Sequence, residues 1–164
     1  MGKLNIVSGN LFDYLEHKDL IVNSANKYMS YGSGICRAIY INAGKELLEY
    51  CQSNYDKYME VNEIRITPGF NIDIDILHIY CPKQYESKKP LEELLESYDK
   101  IFIESDKKGY KNIISVSLGT GVHGYKHNDI AGDIINKLNE LVKKYDINFT
   151  LVLLNEEIYS LYVD

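Results

Sequence analysis

Several things are scarce in this sequence, and each scarcity removes a class of protein. There are only three cysteines, Cys36, Cys51 and Cys81. An odd, widely spaced set cannot complete a disulfide framework and matches no zinc module, so reduced thiols are expected. No apolar run approaches the roughly 20 residues that span a bilayer. The start, Met1-Gly2-Lys3-Leu4-Asn5, enters a strand directly, without the apolar stretch of a signal peptide. A soluble, cytoplasmic protein with no membrane partner is expected. Positive charge is short as well: 18 Lys and Arg against 24 Asp and Glu leave a formal net charge of −6. That balance offers no global attraction to nucleic acid as a bulk partner. A nucleotide held locally by backbone dipoles remains compatible with it.

What is present suits one globular domain, residues 1–164, with 45% apolar and 26% charged residues. Leu4 to Val7 reads as a first strand and Leu11 to Lys18 as a brief helix. Leu20 to Asn23 is an uninterrupted apolar strand of the buried kind. Helical spacing follows through Ile35, Ala38 and Ile39 and again through Leu47, Leu48 and Cys51, with Gly44 dividing the two segments. Glu63 to Thr67 and Ile72 to Tyr80 alternate as the two strands of a hairpin. Leu91 to Lys107 and Asp129 to Lys144 carry apolar residues at three- and four-residue steps, the mark of amphipathic helices. Asn112 to Ser117 and Phe149 to Leu154 complete the strands, and Glu156 to Tyr162 is a closing helix. Strands separated by helices, plus one hairpin, predict a three-layer α/β/α sandwich around a central mixed sheet.

Two stretches carry the chemistry. In the first, Val22-Asn23-Ser24-Ala25-Asn26 leads into Tyr31-Gly32-Ser33-Gly34-Ile35-Cys36. Asparagine amides suit hydroxyls, and glycines let backbone N–H groups approach a ligand. A helix N-terminus beyond them favours phosphate. In the second, Gly119-Thr120-Gly121-Val122-His123-Gly124 again follows a strand. Loops that leave parallel strands at their carboxyl ends share one rim, where ligands of such sheets sit. The second loop is not a Walker A loop, since no Gly-Lys-Ser/Thr follows, and neither loop completes the dinucleotide fingerprint. Taken singly, either glycine cluster also fits an ordinary tight turn. His78-x-x-Cys81 offers two metal ligands of the four a structural zinc site needs, so no metal is expected.

The order and spacing of these motifs resemble those of a macrodomain, the ADP-ribose-binding family, from Val7 to about Tyr162. The resemblance rests on Val22 to Asn26 (V-N-A-A-N in the family), Gly32-Ser33-Gly34-Ile35 with Ala38-Ile39 (G-G-G-V-x-x-A-I), Ala43-Gly44, and Gly119 to Tyr125. It implies a cleft for ADP-ribose, free or attached to protein, with no cofactor. Gly32, Ser33, Gly34 and Ile35 would face Gly119, Thr120, Gly121, Val122, His123 and Gly124 across the diphosphate. Asn26 would sit by the distal ribose, and Asn23 would brace the loop. Asn10 and Leu11, with Leu154 and Asn155, would meet the base.

Four departures from the family pattern matter. Asn10 stands where an aspartate accepts from the adenine amino group, which costs charge assistance of about 1 kcal/mol; it also reads as an ordinary turn residue. Leu154-Asn155 replaces a frequent phenylalanine. Cys36 replaces the water-activating aspartate of MacroD-like hydrolases, and a thiol with a pKa near ~8.5 is a poor base at neutral pH. Viral-type macrodomains lack that carboxylate too. His123 replaces an aromatic, and either packs on the ribose or adds a titrating group beside the scissile bond. Arg37, beside Cys36, either faces solvent or meets an acidic side chain. The expected activity is hydrolysis of ADP-ribose esters, on protein carboxylates or in O-acetyl-ADP-ribose, with Asn26 and His123 as catalytic candidates. The alternatives are a non-catalytic ADP-ribose reader and a binder of another nucleotide.

Overall fold

The computed structural model describes residues 1–163. Six strands form one sheet: β1 (Leu4–Ser8), β2 (Leu20–Ser24), β3 (Ile64–Thr67), β4 (Asp75–Ile79), β5 (Asn112–Val116) and β6 (Asn148–Leu153). Their order is β1-β6-β5-β2-β4-β3. Every pairing is parallel except β3 with β4. The helices are α1 (Gly34–Ala43), α2 (Lys45–Asn54), α3 (Pro90–Lys108), α4 (His127–Tyr145) and α5 (Glu156–Tyr162).

Parallel strands covered on both faces must be apolar on both, and the side-chain alternation along β2 delivers this. Ile21 packs with Ile39, Tyr40, Leu47 and Ile76 under α1 and α2. Leu20 and Val22 pack with Leu77, Tyr98, Phe102 and Phe149 under α3 and α4. The three layers and the mixed sheet are as expected. Helix α3 has Pro90 at its start, Glu92 and Glu93 in its first turn, and Lys107 and Lys108 in its last. Each suits the helix end where it stands. Gly109, at φ 86°, closes it in the left-handed conformation.

Two local readings need correction. Ile72 to Ile74 is not strand. Phe70–Ile72 forms a 3-10 turn that ends at Asp73 in the left-handed region (φ 67°), and β4 starts only at Asp75. Alternating isoleucines are equally produced by a turn that anchors one of them, here the buried Ile72. The helix expected at Leu11 to Lys18 shrinks to a 3-10 turn, Leu11–Tyr14, capped by Asn10. Gly44 does divide α1 from α2, at φ 94°.

Because β2 and β5 are adjacent and parallel, the loops that follow them leave from the same edge. At the amino end of the same strands, Phe102 stacks on Phe149 with ring centroids 5.5 Å apart and is fully buried. Phe102→Ala should lower unfolding free energy by about 3–5 kcal/mol through the cavity it leaves, as read from urea unfolding.

Candidate functional site

A cleft of about 1220 Å³ runs across the carboxyl edge of the sheet, between the two glycine-rich loops. The first loop is shaped by Asn26. Its Oδ1 accepts from the Tyr28 amide (2.9 Å) and its Nδ2 donates to the Ser30 carbonyl (2.7 Å). Met29, at φ 56°, is buried and pins the loop to the core. Gly32 sits at φ 60°, and a Cβ there would stand 2.7 Å from Asn26 Nδ2, so the loop closes on its own asparagine only with glycine. Helix α1 then begins at Gly34 with no side-chain cap from Ser33. Its first-turn amides, those of Gly34, Ile35 and Cys36, lack intrahelical partners, and all three residues line the cleft.

The second loop is held from below. Tyr98 Oη accepts from the Leu118 amide (2.9 Å), Tyr125 Oη donates to the Pro90 carbonyl (2.8 Å), and the Tyr125 amide donates to the Gly119 carbonyl (3.0 Å). Gly119 lies at φ 81°, where a Cβ would meet Tyr125 at 2.7 Å. Val122 at the tip is 70% exposed.

Behind the first loop runs a buried polar chain. Thr67 Oγ1 donates to the Pro68 carbonyl (3.1 Å), so His78 Nε2–H donates to Thr67 (2.9 Å) and Nδ1 accepts from Asn23 Nδ2 (3.0 Å). The other hydrogen of that amide points at Cys36 Sγ (3.6 Å), and the thiol donates to the Ser30 carbonyl (3.4 Å). Burial, and secondarily the Arg65 charge, push His78 down to about 3. Both of its nitrogens are spent on the chain, and Cys81 is turned to Ser24 with its thiol pushed up to about 12 by burial. The pair His78 and Cys81 is thus structural. Among the described residues no group of three or more His, Cys, Asp or Glu is placed to hold a metal.

Most of the residues singled out from sequence line the cleft: Asn10, Leu11, Asn26, Gly32 to Cys36, Gly119 to His123, and Leu154. Three do not. Asn23 is fully buried in the chain just described. Asn155 accepts from the Ile158 amide (2.9 Å) as the cap of α5. Gly124 lines a separate, smaller hollow with Gln84 and Tyr125. Asn10 borders the cleft while its Oδ1 accepts from the Phe12 amide (3.0 Å). The His123 ring is 7% exposed, packs edge-on against Tyr80 (5.6 Å) and lies 3.3 Å from the Pro82 carbonyl. Burial lowers its proton affinity. This seat suits the packing role of the two expected for it, although the residue also lines the cleft. Burial likewise raises the Cys36 thiol, which stays protonated at neutral pH. Sequence reading missed Ser117 and His127, which also line the cleft. A serine at the end of a strand and a histidine opening a helix carry no local signature. None of the described side chains lining the cleft is Asp, Glu, Lys or Arg. Fixed charge is absent, and the polarity of the walls comes from amides, hydroxyls and imidazoles.

A family model described as Macro domain matches residues 22–134, which includes both loops. The chain belongs to the macrodomain family. Among solved structures, the Oceanobacillus iheyensis macrodomain with ADP bound is 28% identical, with a TM-score of 0.89 over 98% of this chain and 88% of that one. A mutant of the same protein with ADPR is 29% identical, also at 0.89, over 98% and 90%. The O-acetyl-ADP-ribose deacetylase of Escherichia fergusonii is 28% identical over 131 residues, 77% of this macrodomain and 74% of the enzyme. The replicase polyprotein 1a of avian infectious bronchitis virus is 27% identical over 125 residues, 76% of this chain. The macrodomain spans only 3% of that polyprotein.

His78 also sets an acid limit. Its proton affinity is depressed in the fold, so below about pH 6.5 the unfolded chain takes up a proton that the native ring refuses. Stability should therefore fall as pH drops from about 6.5 towards 3. Replacing His78 with Gln should flatten that slope while costing about 1–3 kcal/mol at pH 7, as read from thermal melts across pH.

Proposed function

We propose that this macrodomain binds ADP-ribose along the cleft and hydrolyses esters at its distal ribose, on modified protein carboxylates or in O-acetyl-ADP-ribose. The observation that carries the reading is the pairing of two amide-rich loops across a cleft without carboxylates. Gly34, Ile35 and Cys36, with their open amides at the positive end of α1, line the same cleft as Gly121, Val122 and His123. A diphosphate between them would meet donors from both sides and no repelling charge. The bound ADP and ADPR of the Oceanobacillus relative agree with this reading, as does the activity for which the Escherichia relative is named.

In this reading the distal ribose lies by Asn26. One Nδ2 hydrogen of Asn26 is committed to Ser30, and the other has only Cys36 Sγ at 3.9 Å, so it is available to a ligand hydroxyl or a water. The base lies at the opposite end, against Leu11 and Leu154 beside Asn10. The cleft has no carboxylate, and neither the protonated Cys36 nor the packed His123 serves as a strong general base. A water held between Asn26 and a phosphate oxygen of the ligand attacks the ester carbonyl. The attacking water gives up its proton to solvent or to that phosphate, and the loop amides stabilise the tetrahedral oxyanion. Its collapse breaks the ester C–O bond; the ribose oxygen leaves and takes a proton from water, and the acyl group is released as the free carboxylic acid. The second reading, a reader that binds ADP-ribose without turnover, is favoured by the same missing carboxylate.

Calorimetry with ADP-ribose, followed on the same preparation by release of ADP-ribose from a glutamate-linked mono-ADP-ribosylated protein, separates the two. Hydrolysis is expected, with Asn26→Ala lowering kcat at least about tenfold. Binding without release would sink the enzyme reading. Gly32→Ala, which drives a methyl group at the Asn26 amide, should weaken ADP-ribose binding by about tenfold or more in the same titration.

A further inference from the structure

On the α5 side of the cleft, three side chains form a connected chain. Ser117 Oγ lies 2.7 Å from Tyr162 Oη, and Tyr162 Oη lies 2.6 Å from His127 Nδ1. The His127 and Tyr162 rings also pack edge-on at 5.6 Å. Ser117 and His127 line the cleft, whereas Tyr162 is 6% exposed in the wall behind them. His127 Nε2, on the other edge of the ring, makes no hydrogen bond among the described residues. The arrangement has no part in the chemistry assigned to Asn26.

We propose that Ser117, Tyr162 and His127 form a hydrogen-bonded relay that grips a hydroxyl of the nucleoside ribose, with His127 Nε2 as the contacting atom. The inference rests on the ADP-ribose reading of the same cleft. The two proton arrangements of the relay explain the choice of a hydroxyl. If Tyr162 donates to His127 Nδ1, Ser117 donates to Tyr162 and Nε2 presents a hydrogen. If Tyr162 donates to Ser117, His127 Nδ1–H donates to Tyr162 and Nε2 presents a lone pair. A neutral imidazole joined to two hydroxyls can thus show either polarity. A ribose hydroxyl, itself donor and acceptor, is satisfied by both; the edge of a purine suits only one at a time. Burial lowers the proton affinity of His127, which keeps the ring neutral, and raises Tyr162 to about 12, which keeps the phenol protonated.

Position points the same way. Only Tyr125 and Lys126 separate His127 from Gly124 at the end of the second loop, and His127 packs on α5 through Tyr162. It therefore stands between the loop proposed for the diphosphate and the aliphatic end formed by Leu11, Leu154 and Ile158. In a nucleoside diphosphate, the ribose occupies that interval. His127 is the contact, and Tyr162 and Ser117 are positioning residues.

The test is calorimetry on the full chain with ADP-ribose, ADP, 2′-deoxy-ADP and 3′-deoxy-ADP. Loss of the contacted hydroxyl should weaken binding to the wild-type protein by roughly 5- to 10-fold, the size of one neutral hydrogen bond. His127→Phe keeps the ring packing without the nitrogens. It should bind ADP about as weakly as the wild type binds the deoxy form, with no further loss on deoxygenation. His127→Gln, whose amide also shows both polarities, should retain the discrimination, and Tyr162→Phe should narrow it. Thermal melts identify any variant that fails to fold; the remaining two variants then decide. Full deoxy discrimination in folded His127→Phe, or none in the wild type, would overturn the relay while leaving ADP-ribose binding intact. A wild-type protein that binds neither ADP-ribose nor ADP would overturn both readings.

Discussion

One buried amide organises the site. Asn23 Nδ2 divides its two hydrogens between His78 on β4 and Cys36 in the first turn of α1. A fully buried amide is costly unless its donors are used, so its partners must be where they are. That requirement ties the sheet edge to the start of α1, and the start of α1 carries the open amides of the cleft. The chain extends through His78 to Thr67 on β3, so the hairpin at the sheet's edge supports the wall of the cleft as well. The cleft is thereby preorganised from behind by Asn23, His78 and Thr67, none of which lines it.

The second consequence concerns charge. The chain is acidic overall, yet no charged side chain lines the cleft among the described residues. Backbone dipoles supply the local positive field, and they stay in place whatever the pH. Such a site attracts an anion without a counter-ion that would have to be desolvated. The same neutrality constrains catalysis, because a hydrolase built this way must draw its proton acceptor from water or from the ligand. Buried groups that could titrate are all pushed away from doing so: His78 and His123 towards neutral imidazole, Cys36 towards the protonated thiol.

Much of the fold was readable along the chain because its signals are local. Apolar strands, the helix stop at Gly44 and the end chemistry of α3 each depend on residues a few positions apart. The two glycine loops were readable for the same reason, and the adjacency of β2 and β5 puts them on one rim, as expected of two loops that each directly follow a strand. Ile72 was misread because alternation is shared by strands and by turns that anchor one side chain.

Local chemistry, then, settled which loops are rich in amides, which helices have which ends, and that three cysteines leave no disulfide framework. Only the folded chain decided which polar residues face ligand and which face protein. Asn23, Asn26 and Asn155 are the same residue type in similar company, yet one is buried in a chain, one shapes the cleft, and one caps a helix. Ser117, His127 and Tyr162 are up to 45 positions apart and meet only because β5, α4 and α5 pack together. Hydrogen bonds across such distances leave no periodic trace in sequence, since the geometry that joins them is created by burial of the apolar faces.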